Sequence, residues 1–340
     1  MILWFDDIDR QAISEAGGKG ANLGEMTRNG FPVPPGFCIT TAVYRAHLRN
    51  LELAPYMALL ANLVRQDDMA RLHEVSEKVR GMIVAADLSE GAEQEIRMAY
   101  RKLSAMGTAK VSVRSSATAE DLPTASFAGQ QETFLSVCGE APLLAHVKAC
   151  WASLWTVRAI VYRHRNGFAH EQVALAVVVQ AMVQSEKSGV LFTANPVTGR
   201  MGEMMVNAAY GLGETIVSGR VTPDIYHLSK QGVRLILHKR AGTKETQMTT
   251  GPDGAITETD VLEEMRGRSC LGVSELRRLR ALGLRVERHY GSPQDIEWAI
   301  AGKKLYLLQA RPITAVAPGE PTGIAAGGGG RTRRTSRMQR

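Results

Sequence analysis

Apolar residues recur at three- and four-residue spacing through most of the first hundred positions. GGKGANLGEMTRNG opens one helix, VYRAHLRNLELAPYMALLANLVRQ carries further amphipathic pattern, and EQEIRMAYRKLSAMG ends on a glycine of the kind that stops a helix. From Lys110 the period shortens to two. VSVR, QETFLSV, VALAVVVQAMV and SGVLFT read as strands, interrupted by one helical segment around LLAHVKACWASLWTVRAIVYRHR. A third region mixes both periods: GEMMVNAAYGLGE, the strand-like DIYHL and RLILH, a helix over SELRRLRALGLRVERHY, and a closing pair, DIEWAI and KKLYLLQARPIT, that turns at AGKK. The pattern predicts an α+β protein of two to three lobes around a cleft, because 340 residues exceed the usual single domain. A mostly helical lobe is expected over 1–110, a β-rich lobe over 111–200 and an α+β lobe over 201–315. Residues 316–340 form a glycine- and arginine-rich tail with nothing to pack into a core.

Composition narrows the function classes. With 44% hydrophobic and 22% charged residues the chain is ordinary globular material, and Cys38, Cys138, Cys150 and Cys270 show no paired spacing that would imply a disulfide framework or a zinc site. The formal charge of +7 suggests nucleic acid until it is located: the tail holds five arginines against Glu320, net +4, which leaves 7 − 4 = +3 for the rest. Without interleaved aromatic residues those arginines give at most non-specific attraction to phosphates. The run from Val173 is far shorter than the roughly 20 apolar residues that span a bilayer, so it reads as a buried strand. The acidic start MILWFDDIDR is unlike a signal peptide, and a cytoplasmic protein is expected.

Four stretches carry candidate chemistry. In EAGGKGANLGEM, glycines precede Lys19 at the mouth of a helix, where free N–H groups and the helix dipole attract anions. The Walker A spacing is absent, and a glycine-rich turn with a solvated lysine fits the same residues. In VSVRSSATAEDLPTASFAGQQETFLSV, alternation puts Arg114 at a strand end, a planar guanidinium suited to a polyphosphate. Gly129 lets backbone approach a phosphate, and Thr133 shares a side with Gln131; an ordinary polar hairpin, with Arg114 satisfied by Glu120 or Asp121, also fits. In the closing hairpin, pairing Ile300 with Leu305 sets Glu297 across from Gln309 to within one residue, with Arg311 two residues on and Leu305 and Leu307 on the same face. That is a seat for Mg2+ and a triphosphate, or a plain cross-strand polar pair. Gln180, alone in an apolar strand, needs partners: an adenine edge, a ribose or core backbone.

Taken in order, GGKGANLGEM, PVPPGFCIT, the Val111–Val137 stretch, GVLFTANPVTG, NAAYGLGETIVSG and DIEWAI…LLQARPIT resemble the N-terminal ATP-binding domain of the phosphoenolpyruvate synthase and rifampicin phosphotransferase family, over about residues 10 to 314. The resemblance implies an ATP-grasp-like fold with ATP and Mg2+ in the cleft, and a relay in which a phosphoryl or pyrophosphoryl group passes to a histidine on a swivelling domain, leaving AMP. By the same resemblance Lys19 and Arg114 hold phosphates, Gly129 and Thr133 form the loop over them, and Gln180 faces the adenine. Glu297 and Gln309 bind Mg2+, and Arg311 meets the transferring phosphate, so that Lys19, Arg114 and Arg311 form the catalytic set. The T-S-H-A-type phosphohistidine motif of that family is not found around any of the eight histidines, so the histidine domain is expected in trans. A truncated relative inactive alone, or a nucleotide-sensing or nucleic-acid-binding module, are the alternatives.

Overall fold

The computed structural model describes residues 1–105, 110–118, 132–251 and 255–313, with the backbone of the short strands Asp121–Leu122 and Ala125–Ser126. Gly129 and the tail therefore lie outside the described residues. In chain order, β1 (Ile2–Trp4), α1 (Ile13–Arg28) and β2 (Gly36–Ile39) lead into four helices, α2 (Thr41–Arg49), α3 (Ala54–Gln66), α4 (Met69–Ala85) and α5 (Glu90–Ala105). Then follow β3 (Lys110–Ala117), the short β4 and β5 named above, β6 (Thr133–Cys138), α6 (Glu140–Ser153), α7 (Val157–Arg165), β7 (Leu175–Ala181), β8 (Lys187–Phe192) and β9 (Glu203–Tyr210). The last part comprises α8 (Glu214–Val217), β10 (Asp224–Ser229), β11 (Ile236–Arg240), β12 (Thr246–Thr250), β13 (Ile256–Asp260), α9 (Glu263–Arg266), α10 (Val273–Tyr290), β14 (Gln294–Ala301) and β15 (Lys304–Pro312). The α+β class expected from the pattern is what the chain adopts.

Two antiparallel sheets organise these elements, in the orders β1-β2-β7-β3-β6 and β11-β10-β9-β8-β14-β15. The strands thus group differently from the three-segment division read from the pattern: residues 2–39 and 110–181 share the first sheet, and the chain passes to the second between β7 and β8. Alternation within β7 explains its unbroken apolar run. Val177 and Val179 join the core that α2 to α7 build over one face, with Ile39, Val113, Trp151 and Trp155, while Val178 joins Cys38, Leu23 and Met26 on the other. Each fully buried valine contributes roughly 1.5–3 kcal/mol, so a strand covered on both faces is firmly fixed, and the cleft opens beside its end.

That second core continues into Leu191, Val206, Trp298 and the α10 residues Leu276, Leu279 and Val286, so both sheets share it. All four cysteines are free thiols; Cys38, Cys150 and Cys270 are buried, and Cys138 is exposed at the end of β6. Among the described residues no helix is long and apolar enough to cross a membrane.

Candidate functional site

A cleft of about 440 Å3 lies between the sheets, and Lys19, Arg114, Thr133, Gln180, Glu297, Gln309 and Arg311 all line it. Seven of the eight residues singled out in the sequence are thereby brought together; Gly129 is the one outside the described residues.

Lys19 sits just past a break in α1. Gly17 has φ 68° and ψ 176°, a backbone conformation that interrupts the helix, and a side chain there would bring its Cβ within 2.2 Å of the Ser116 carbonyl oxygen. The helix restarts at Gly18, so the glycines do place Lys19 at a helix mouth, one turn into a segment that is already helical from Ile13. The Gly20 N–H donates to Ser116 Oγ (3.1 Å), and the Ser116 hydroxyl donates to the Ala16 carbonyl (2.8 Å).

Arg114 is not at a strand end. β3 continues to Ala117 because Ser115, Ser116 and Ala117 pair with Val177, Ala176 and Leu175 of β7, which leaves Arg114 mid-strand and only 6% exposed. Its guanidinium donates to Gln180 Oε1, to the Leu308 carbonyl (3.2 Å) and to Gln309 Oε1 (3.4 Å). These are neutral oxygens from both sheets; the side chains of Glu120 and Asp121, the partners considered in the sequence, lie outside the described residues. Gln180, 2% exposed, closes the same network, since its amide nitrogen donates to the Pro34 carbonyl (3.2 Å). Thr133, at the start of β6, pairs with Arg114 and is exposed to the cleft.

On the closing hairpin, Ile300 pairs with Leu305 and Glu297 with Gln309, the register expected from the turn. A β-bulge beside Glu297 makes up the one-residue difference. It also corrects the face assignment: Leu307 is buried opposite Trp298, whereas Gln309 and Arg311 face the cleft, because the extra residue, Leu308, shifts the alternation by one. Arg311 pairs with Asp295 across the ladder at 2.9 Å. Burial pushes the Asp295 carboxyl up from its ordinary range, and Arg311 opposes that.

Among the described residues that line the cleft, one acidic side chain was missed in the sequence. Glu214 opens α8, after a turn in which Gly211 (φ 73°) packs on β12 so closely that a Cβ would meet the Met248 carbonyl at 2.3 Å. Leu212 donates to that same carbonyl at 2.8 Å. Burial raises the Glu214 carboxyl above its usual value, and the charge of Glu297 raises it further, against a smaller opposing effect of Arg220. An acidic residue directly after G-L-G at the end of a strand was the available signal. Glu297, Gln309 and Glu214 supply hard oxygen donors of the type Mg2+ takes. Among the described residues no three His, Cys, Asp or Glu side chains converge as a metal cage. Among the described residues that line this cleft there is no histidine.

The family model described as pyruvate phosphate dikinase, AMP/ATP-binding domain, matches residues 13–325. Among curated proteins, the chain is 42% identical over 322 residues to the probable phosphoenolpyruvate synthase of Methanocaldococcus jannaschii, covering 94% of this chain and 27% of that protein. It is 41% identical over 358 residues to the phosphoenolpyruvate synthase of Pyrococcus furiosus (93% and 44%), and 37% identical over 320 residues to the rifampicin phosphotransferase of Bacillus subtilis (94% and 36%). The chain thus spans between 27% and 44% of the length of these relatives.

Proposed function

The chain belongs to the pyruvate phosphate dikinase AMP/ATP-binding domain family, and from that premise we propose that its cleft binds Mg-ATP and presents the β-phosphorus to a histidine from outside residues 1–340. The observation that carries this reading is the Arg114–Gln309 contact at 3.4 Å, which joins a phosphate-type cation of the first sheet to the oxygen donors of the second. Lys19 and Arg114 hold phosphate oxygens by charged hydrogen bonds, with Thr133 beside them. Glu297 and Gln309 hold Mg2+, with Glu214 adjacent; when bound, the ion neutralises charge that develops on the phosphates. Arg311, steadied by Asp295, meets the transferring group. In line with this arrangement the histidine nitrogen attacks the β-phosphorus, the bond from that phosphorus to the oxygen bridging it to the α-phosphorus breaks, and AMP leaves with that oxygen while the β- and γ-phosphates stay together on the histidine. The chain's part is positioning and electrostatic stabilisation, which supply most of the catalysis in phosphoryl transfer.

The relatives extend well beyond the matched stretch, so the receiving domain belongs to the same polypeptide as readily as to a second one. The family assignment favours a nucleotide site over a nucleic-acid module. The final acceptor is a matter for those other domains. The test mixes purified residues 1–340 with a histidine-bearing domain from a relative and β-32P ATP. AMP should form slowly with the chain alone and quickly in the mixture, with acid-labile label on the added domain. Rapid AMP formation by the chain alone, with label on one of its own histidines, would overturn the reading.

A further inference from the structure

Ser116 is fully buried, and its hydroxyl spans the break in α1, donating to Ala16 on one side of Gly17 and accepting from Gly20 on the other. Lys19 lies between those two anchored backbone groups. The first N–H groups of a helix need partners from outside it, and here a neighbouring strand supplies one in place of a preceding cap residue. The position is tightly determined, because Gly17 is pressed against the same serine's carbonyl with no room for a Cβ. Arg114 and Ser116 are two residues apart on β3 and so share a face, on which Ser112, two residues earlier, also lines the cleft.

We propose that Ser116 is a positioning residue for Lys19: by clamping the helix break it fixes the lysine relative to Arg114, so that one strand sets the spacing of both phosphate-binding cations. This rests on the reading of the cleft as a nucleotide site. It assigns a role to a side chain that does not line the cleft.

The test measures ATP and AMP affinity by calorimetry for the parent protein, Ser116→Ala, Lys19→Ala and the double variant. If Ser116 acts through Lys19, Ser116→Ala weakens ATP binding severalfold, and by no more than Lys19→Ala does. AMP binding then changes less than twofold, and the double variant binds ATP no more weakly than Lys19→Ala alone. Additive losses in the double variant, equal losses for ATP and AMP, or unchanged ATP affinity in folded Ser116→Ala would overturn the proposal. Unchanged ATP affinity in Lys19→Ala would instead remove the assignment of Lys19, and with it the premise. Should Ser116→Ala fail to fold, Ser116→Cys, which keeps a weak donor and acceptor at that position, is measured in its place with the same expected coupling.

Discussion

Lys19 and Arg114 bring positive charge to one cleft but are held differently, so their removal has different consequences. Lys19 is partly buried at the cleft wall, and Lys19→Ala should weaken ATP binding tenfold or more, since a charged hydrogen bond is worth roughly 1.5–3 kcal/mol, with little change in melting temperature. Arg114 is a buried donor to Gln180, Leu308 and Gln309, and Arg114→Ala should weaken ATP binding similarly while also lowering stability by about 1–3 kcal/mol, because Gln180 loses its donor. Calorimetry and denaturant unfolding on both variants separate the two effects; equal stability loss in both would contradict the assignment. Glu214 makes a prediction of opposite sign. Its carboxyl is raised in the folded state, so the folded protein binds more protons than the unfolded chain between the ordinary carboxylate pKa and the raised one, and stability falls as pH rises through that window. Glu214→Gln should therefore raise the melting temperature at neutral pH, leave it unchanged well below the carboxylate range, and weaken Mg-ATP binding. A variant that melts lower at neutral pH would show that the carboxylate is not under strain.

At the scale of elements, α1 and the closing hairpin show what was legible and what was not. The glycine spacing around Lys19 pointed to a helix mouth, and the A-G-K-K turn gave the strand register, because turn chemistry and local spacing are written in neighbouring residues. The bulge at Leu308 and the continuation of β3 past Arg114 were not legible. Both depend on what the partner strand offers: the pairing of Ser115–Ala117 with β7, and the fit of Leu307 against Trp298. Gln180 shows the same limit, since its partners, Pro34 and Arg114, are 146 and 66 residues away. The break in α1 is testable directly. Gly17→Ala must place a side chain at positive φ and against the Ser116 carbonyl, so it should cost at least about 2 kcal/mol by denaturant unfolding. A neutral outcome would mean that the break relaxes easily and does not define the position of Lys19.

At the scale of the molecule, Cys38 and Val178 of the first sheet share a core with Leu191, Val206 and Trp298 of the second, so the two sheets should unfold together. Calorimetry should show one transition, raised by saturating Mg-ATP by an amount that mass action sets at about 2.7 kcal/mol for ligand at a hundredfold its Kd. Two separate transitions would show that the shared core does not couple the sheets. The same burial has a practical outcome for anyone wishing to watch the protein work. Thiolate is the form that reacts with alkylating reagents; burial pushes the Cys38 thiol up to about 12 and raises Cys150 and Cys270 as well, while Cys138 stands exposed. A maleimide dye should therefore attach at one place without any engineering. That place is the far end of the strand that starts at Thr133, roughly 17 Å along it at the usual rise per residue, outside the cleft lining yet on an element that borders the cleft. The unaltered chain thus carries its own attachment point for fluorescence measurements of nucleotide arrival and departure.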